Sequence, residues 1–315
     1  MFASPRFFAV LLVALVSGAC ATTKPPPAPD LSPLPWAVTR GTLPGGSLRM
    51  VQVATTSSPG NLVVQGAPAR RVELPVYVYV FDHPSQGLVL IDTGFGRRTA
   101  KAPAEYPGKR MSSLLSLTME DGAAVIDRLP EIERTESDVA HIALTHMHPD
   151  HVGGLEDFSQ ATLHIASEAW ATRLDGGPLG AVDASPFESH SQVAPFTWSE
   201  SAIGPFDETH DIFGDGSLVA LSTPGHTPGH TSFLVNLTGG SYLITGDAAW
   251  VDPHWQAPAL KSPLVRGLME DDWKANWDTQ WRIRRLALDS PGLVVLSGHD
   301  AKNAARLPVW PDAAQ

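Results

Sequence analysis

The segment THMHPDHVGG at residues 145–154 constrains the chain more than any other feature. It follows an apolar run, residues 139–145, that predicts a β-strand. Histidines two positions apart at the end of an extended strand can project in the same direction, and the proline turn then delivers an aspartate and a third histidine. One short segment can thus offer two pairs of ligands to two neighbouring metal ions. The four candidate ligands are His146, His148, Asp150 and His151.

Further candidate ligands come at the ends of other apolar runs. They are His226 in STPGHTPGHTSF, Asp247 in LITGDAAW and His299 in LVVLSGHDAKN. Since each residue lies where a strand is expected to end, side chains from separate strands can converge at one sheet edge. Five histidines and two aspartates complete the ligand shells of two ions if one carboxylate bridges them, and imidazole with carboxylate favours zinc and similar divalent metals.

The remaining pattern predicts two sheet-forming halves with few helices. Strands are expected at 48–53, 75–81, 88–94, 139–145, 161–166, 217–223, 231–237 and 241–247. Helices are expected at 119–129, 167–174 and 271–288. The tryptophans of the last helix recur at a helical period, which is typical of packing on a sheet. Residues 175–215 have little periodicity and are expected to form a loop.

The N-terminus predicts export. Residues 1–20 combine Arg6, a short apolar stretch and small residues before Cys20, which is the pattern of a signal peptide. A cysteine at this place resembles the lipidation site of bacterial lipoproteins, although Ser17 stands where such signals usually have a large aliphatic residue, so simple cleavage and secretion remains an alternative. The Pro-rich residues 21–35 predict an extended linker, and the folded domain is expected to span 36–315.

The composition limits the classes of molecule that the chain is expected to bind. The chain has 315 residues, of which 43% are apolar, and a formal net charge of −11, so it can bury a full-size core and is expected to repel polyanions. We expect a small-molecule substrate, no nucleic acid, and membrane contact only through a lipid on Cys20. That cysteine is the only one, so thiolates cannot supply the metal site. The sequence indicates no oligomeric state.

The motifs in combination resemble the metallo-β-lactamase-fold hydrolase superfamily. The resemblance covers roughly residues 45–305 and rests on LIDTGF, THMHPDHVGG, TPGHTPGH, TGD and SGHD in that order. It implies an α/β fold, a four-layer αββα sandwich, with a dinuclear site along its edge. It also implies that His146, His148 and His226 bind one metal ion, that Asp150, His151 and His299 bind the other, and that Asp247 bridges the two.

Supporting residues follow from the same resemblance. Asp92 in LIDTGF would orient ligand histidines, and His230 is interpreted as supporting structure around the site. The other histidines are interpreted as strand or surface residues: His83, His141, His164, His190, His210 and His254. Loops at 97–118, 173–215 and 252–270 are expected to shape the substrate pocket.

The expected reaction is hydrolysis of an ester-like bond, a lactone or a carboxylic ester, by a water that two divalent ions activate and Asp150 orients. GDAAW and GHD are most similar to the quorum-quenching lactonase branch. Trp250 stands where those lactonases carry a tyrosine that helps to hold the substrate, so it is a candidate pocket residue. The alternatives are a β-lactamase or phosphodiesterase of the same fold, and a non-hydrolytic metal protein, either an iron dioxygenase or a binding protein.

Overall fold

A computed structural model describes residues 22–31, 43, 45–176, 182–199, 201–308 and 310–315 of the chain. The predicted signal peptide at 1–20, the lipidation site at Cys20 and the domain start at Trp36 lie outside these ranges.

The first half of the chain forms a six-stranded sheet with the order β1-β2-β3-β5-β6-β7. Its strands are β1 (Ser47–Pro59), β2 (Arg71–His83), β3 (Gly87–Ile91), β5 (Val139–Ala143), β6 (Thr162–Ala166) and β7 (Val193–Phe196). A short strand, β4 (Gly94–Phe95), pairs with residues 152 and 153 beside it. The strands β1, β2 and β3 pair antiparallel, and β3, β5, β6 and β7 pair parallel.

The second half forms a five-stranded sheet with the order β12-β11-β10-β9-β8. Its strands are β8 (Thr209–Asp211), β9 (Leu218–Ser222), β10 (Thr231–Leu237), β11 (Gly240–Ile244) and β12 (Leu293–Leu296). All neighbours pair antiparallel except β11 and β12, which are parallel. The prediction of two sheet-forming halves is confirmed.

Alternation along the strands explains the layers. Leu218 and Ala220 of β9 lie in the core between the two sheets, whereas Val219 and Leu221 face the other way. The second pair packs with Leu286 of the long C-terminal helix. Successive side chains of a strand point to opposite faces, so a sheet covered on both faces is apolar throughout. The result is the predicted αββα sandwich.

The helices lie in the connections between strands, and the longest of them packs on the outer face of the second sheet. Their bounds are α1 (Gly60–Val63), α2 (Arg97–Lys101), α3 (Lys109–Leu115), α4 (Val125–Arg128), α5 (Pro149–Val152), α6 (Ser167–Ala171), α7 (Pro253–Gln256), α8 (Pro263–Met269) and α9 (Trp273–Asp289). The carboxylate of Asp272 caps α9 by accepting hydrogen bonds from the backbone N–H groups of Lys274 and Ala275.

Two local predictions are wrong. The helix expected at 119–129 is reduced to α4, because Gly122 has a φ of 78° and Thr118 pairs with Thr55 of β1 instead of entering a helix. The segment 175–215 is not wholly a loop: it contains β7 and β8, which extend the two sheets at their edges. Residues 177–181 and 200 of this segment lie outside the described ranges.

Strand direction explains why the candidate ligands meet. The strands β3 and β5 are parallel, and β9, β11 and β12 all run in one direction because β10 is antiparallel to β9 and to β11. Their C-terminal ends therefore open onto one edge of the sandwich. At this edge the backbone N–H of Thr231 donates to the carbonyl of Thr145, which joins the two sheets.

Residues 22–31 of the Pro-rich segment lie on the domain without helix or strand. The Gln65 side chain donates to the carbonyl of Thr23, and Arg266 donates to the Thr23 hydroxyl. Further along, the indole N–H of Trp277 donates to the carbonyl of Pro27. Within the described part of the chain, no helix has the length and apolar character that crossing a bilayer requires.

Candidate metal centre

Three histidines converge at the end of β5. His148 precedes α5 in an extended conformation, and its Nδ1 lies 3.0 Å from Nε2 of His146. The same Nδ1 lies 3.0 Å from Nε2 of His226, which follows β9. A tetrahedral zinc ion with bonds of about 2.0–2.1 Å needs nitrogens roughly 3.3 Å apart, so the three atoms are spaced almost as one ion requires.

Asp247 joins this group to a second one. Its Oδ2 lies 3.2 Å from Nε2 of His226, and its Oδ1 lies 2.9 Å from Nε2 of His299 and 3.4 Å from Nε2 of His151. Asp150 faces the same two histidines, with its Oδ2 3.6 Å from Nε2 of His299 and 3.8 Å from Nε2 of His151. One carboxylate thus presents an oxygen to each group.

The geometry gives two groups of side chains that could hold metal ions. The first is His146, His148, His226 and Asp247, and the second is Asp150, His151 and His299. Within each group the ligand atoms lie within 4.8 Å of one another. The structure therefore brings together all seven residues in the two sets that the family resemblance implies.

The chemistry of these donors suits divalent cations. Burial lowers the pKa of His146 and of His226 well below the ordinary value, so both imidazoles are neutral and offer a lone pair. Burial alone would also lower the pKa of His151, but the carboxylates of Asp92 and Asp150 raise it. The buried Nε2 of His151 has no hydrogen-bond partner. An unpartnered buried nitrogen beside a carboxylate is what a ligand to a metal leaves behind.

Asp92 supports His151 from behind. Its Oδ2 lies 2.7 Å from Nδ1 of His151, and its Oδ1 accepts a hydrogen bond of 2.8 Å from the backbone N–H of Thr145. The residue directly follows β3 and has a φ of 57°, a left-handed conformation that aspartate tolerates better than most residues. By holding Nδ1, Asp92 aims the opposite nitrogen of His151 at the site.

His230 supports the backbone of Asp247. Its Nε2 accepts a hydrogen bond of 3.0 Å from the backbone N–H of Asp247, so Nδ1 carries the proton and donates to the carbonyl of Thr223 at 3.1 Å. Burial lowers the pKa of His230 to about 3, which keeps the ring neutral. Gly246 precedes Asp247, with a φ of 51°, and a Cβ there would lie 2.9 Å from Nε2 of His230.

Trp250 lies over both groups. Its Nε1 donates a hydrogen bond of 2.7 Å to Oδ2 of Asp247. Its ring makes T-shaped contacts with the rings of His226 and His299, with 6.4 and 6.2 Å between centroids. The structure therefore places this candidate pocket residue at the site. Its single donor is engaged by the carboxylate of Asp247.

Three buried residues around Trp250 were missed by sequence reasoning. His254, interpreted as a surface residue, accepts a hydrogen bond from the backbone N–H of Trp250 and also contacts the carbonyl of Val63. Lys261 and Glu270 form an ion pair at 2.7 Å beneath the indole, with their side chains 0% and 2% exposed. The apolar residues around Lys261 in ALKSPLV are the one sequence signal that this lysine is buried. They do not indicate that it pairs with Glu270.

A cavity of about 190 Å³ borders His148 and His226. Its apolar wall includes Met147, Val182 and Met269, and the carboxylates of Asp175 and Asp271 also line it. Two of the three loops expected to shape a pocket, 173–215 and 252–270, contribute to this wall, whereas none of the described side chains of 97–118 does. A larger cleft of about 330 Å³ beside Arg282 holds none of the candidate ligands.

Comparison with known proteins gives one family and a group of relatives. Residues 71–299 match the family model described as the metallo-beta-lactamase superfamily. The N-acyl homoserine lactonase AttM of Azorhizobium caulinodans is 30% identical over 234 residues, covering 72% of this chain and 82% of that protein. AttM of Agrobacterium fabrum is 28% identical over the same length and with the same coverage.

A solved structure confirms the fold. It is the N-acyl homoserine lactone hydrolase whose product, N-hexanoyl-L-homoserine, is bound at its catalytic metal centre. It superimposes with a TM-score of 0.68 at 18% identity and covers 85% of this chain and 98% of its own. The resemblance read from the motifs is therefore confirmed, in the fold and in the relatives.

Proposed function

The chain belongs to the metallo-beta-lactamase superfamily and is a metallo-hydrolase, and from this premise we propose that it hydrolyses lactones, with zinc as the metal. The observation that carries the proposal is the pair of ligand groups joined by Asp247. A carboxylate that offers one oxygen to each group suits two ions sharing one water. The relatives named as N-acyl homoserine lactonases support a lactone as the substrate.

Two divalent ions held by these residues would lower the pKa of a bound water and polarise a carbonyl oxygen. The residues of the chain orient this chemistry. Asp150 is the most open of the acidic side chains here, with 14% of its side chain exposed against 4% for Asp247. It is therefore the group placed to meet water entering from solvent.

Asp150 can carry the proton through the reaction. The water oxygen forms a bond to the lactone carbonyl carbon, and the carboxylate of Asp150 takes the proton that the water loses. The ring C–O bond then breaks, and the same proton passes to the departing alkoxide, which becomes a hydroxyl group. The product is the open hydroxy acid, so no oxidant or further reactant is needed.

The cavity beside His148 and His226 supports a substrate with an apolar part. Met147, Val182 and Met269 can exclude water from an aliphatic group next to the ligand histidines. The carboxylates of Asp175 and Asp271 line the same cavity and would repel a negatively charged group on the substrate. A neutral lactone with an aliphatic side chain meets both conditions.

A substrate panel tests the proposal. Purified protein would be assayed with acyl lactones, aryl esters, phosphodiesters and β-lactams, each with zinc, manganese and cobalt. We expect the highest kcat/KM on lactones. Hydrolysis of phosphodiesters alone, or of β-lactams alone, would replace the assignment with one of the other hydrolytic branches, and no hydrolysis at all would favour a binding or oxidative protein.

Metal analysis tests the cofactor. Protein purified without chelator is expected to contain about two equivalents of zinc, because seven ligands in two groups are present. Less than half an equivalent of any metal would contradict a dinuclear centre. One equivalent of iron would favour the dioxygenase alternative.

We also propose export and attachment to a membrane through a lipid on Cys20. Residues 1–20 support this by their signal-like pattern. The Cys20→Ser variant is expected to move from the membrane fraction to the soluble fraction of cells that express the full chain. Unchanged membrane partition in the variant would rule out the lipid anchor, and a wild-type protein found only in the soluble periplasmic fraction would favour simple secretion.

A further inference from the structure

Every polar atom of Asp247 except one is held by the surrounding chain. The backbone N–H donates to His230, and Oδ2 accepts from the Trp250 indole. The carbonyl oxygen lies 3.3 Å from the ammonium of Lys261, which donates to it. Only Oδ1 makes no hydrogen bond, and this oxygen faces His151 and His299.

Lys261 acts on the bridging residue in two ways. Besides the Asp247 carbonyl, its ammonium lies 4.7 Å from the centroid of the Trp250 ring, within the range of a cation–π contact. The indole held in this way is the one that donates to Asp247 Oδ2. One buried cation therefore secures both the backbone of the bridging residue and the donor to its carboxylate.

Glu270 holds the Lys261 ammonium in place. Its Oε1 lies 2.7 Å from the Lys261 ammonium and accepts a second hydrogen bond of 2.6 Å from Asn276 of α9. Lys261 comes just before α8 and Glu270 just after it, so the ion pair ties together both ends of this short helix. Burying two charges costs several kcal/mol per ion before their attraction is counted. A pair buried against Asp247 is thus poorly explained by stability alone.

We propose that Lys261, paired with Glu270, is a positioning residue for the metal centre: it holds the Asp247–Trp250 turn so that the bridging carboxylate is in place before metal binds. The inference rests on the proposed function only through the bridging role of Asp247. Lys261 itself touches neither substrate nor candidate ligand nitrogen. Preorganised ligands bind a metal more tightly because less ordering is left to occur on binding.

The test measures zinc affinity, so it needs no substrate. Metal-free wild type, Lys261→Met/Glu270→Gln and Trp250→Phe would be titrated with zinc against a chromophoric chelator. The double variant removes both charges together and retains similar shapes, which leaves no unpaired buried ion. We expect each variant to lose about 10- to 100-fold in zinc affinity, as removal of partners behind metal ligands usually does.

Combining the variants separates positioning from a general loss of structure. If Lys261 acts through Trp250 in part, the triple variant should lose less affinity than the two losses multiplied. The visible spectrum of the cobalt-loaded double variant should also differ from wild type, since the bridging carboxylate is reoriented. The matched control, Arg128→Met/Glu131→Gln, removes a surface ion pair and should change neither result.

Wild-type zinc affinity and an unchanged cobalt spectrum in the double variant would overturn the inference. If that variant does not fold, Lys261→Gln/Glu270→Gln replaces it, because it also removes both charges while its amides keep hydrogen-bonding groups in the buried space. Wild-type zinc affinity in that variant would overturn the inference. A wild-type protein that binds two zinc ions and hydrolyses no lactone would contradict the proposed substrate, but not this inference.

Discussion

Oδ2 of Asp92 lies 2.7 Å from Nδ1 of His151, at the point where β3 and β5 end side by side. The contact fixes which nitrogen of His151 faces the candidate metal centre. Asp92 itself ligates nothing, so its effect on metal binding can be separated from the loss of a ligand.

Asp92→Asn is expected to lower both zinc affinity and turnover by about 10- to 100-fold, because the amide cannot supply the negative charge that keeps Nδ1 protonated. Asparagine also tolerates the left-handed φ at this position, so the backbone should survive. Zinc titration and steady-state kinetics provide the measurement. Asp127→Asn, at a surface ion pair with Arg97, is the control and should behave as wild type.

The Asp150→Ala variant is expected to separate the role of Asp150 in metal binding from its role in catalysis. The carboxylate is both a candidate ligand and the proposed carrier of the proton, so turnover is expected to fall by about 10²–10⁴-fold, the usual range for a general acid–base group. Zinc affinity should fall much less, because His151 and His299 remain in that group. Equal losses in the two quantities would show that Asp150 does no more than ligate.

Trp250→Tyr tests the analogy with the lactonases. A phenol can both donate and accept a hydrogen bond, whereas an indole only donates. We expect the variant to retain or exceed wild-type kcat/KM on acyl lactones, and Trp250→Phe, which has no donor, to fall below both. A Tyr variant as impaired as the Phe variant would mean that the indole cannot be replaced in its contact with Asp247.

The histidine pair on β5 and β6 is expected to make stability depend on pH. Nδ1 of His141 lies 3.0 Å from Nε2 of His164, and burial, with the neighbouring His141, lowers the pKa of His164 to about 4. Unfolded histidine titrates near 6.5, so the unfolded chain takes up this proton first as the pH falls. The contribution of His164 to the free energy of unfolding is fully present above about pH 6.5. It is lost as the pH falls from about 6.5 to about 4.

The slope of the free energy of unfolding against pH measures this contribution. His164→Gln should reduce the slope between about pH 4 and 6.5 by up to about 1.4 kcal/mol per pH unit. Denaturant titrations on chelator-treated protein exclude the effect of metal loss. A variant with the wild-type slope, whatever its overall stability, would show that His164 does not titrate in this range.

The ligands were predictable from sequence for a physical reason. His146, Asp247 and His299 each follow an apolar run. A run that enters a buried strand must end at an edge of the sheet, where polar side chains can gather. The same reasoning failed at 119–129, where local composition suggested a helix but Gly122 turns the chain and Thr118 pairs with β1.

The buried polar residues around Trp250 could not be predicted from the positions of apolar runs. Lys261 and Glu270 are nine residues apart, on either side of α8, and Glu270 is also held by Asn276 of α9. Charged residues are usually exposed, so composition argues against their burial. His254 is similar: its place beneath the Trp250 loop depends on Val63, which is far away in the chain.

The docked Pro-rich segment has a consequence for how the enzyme would sit in a cell envelope. Thr23 is held by Gln65 and Arg266, and a lipid on Cys20 would be joined to the chain only three residues earlier, a span of at most about 10 Å of extended backbone. Such an anchor would hold the domain close to the membrane and restrict its rotation. The hydrolase would keep one side toward the bilayer, and its access to substrate would depend on which way that side makes the metal-bearing edge face.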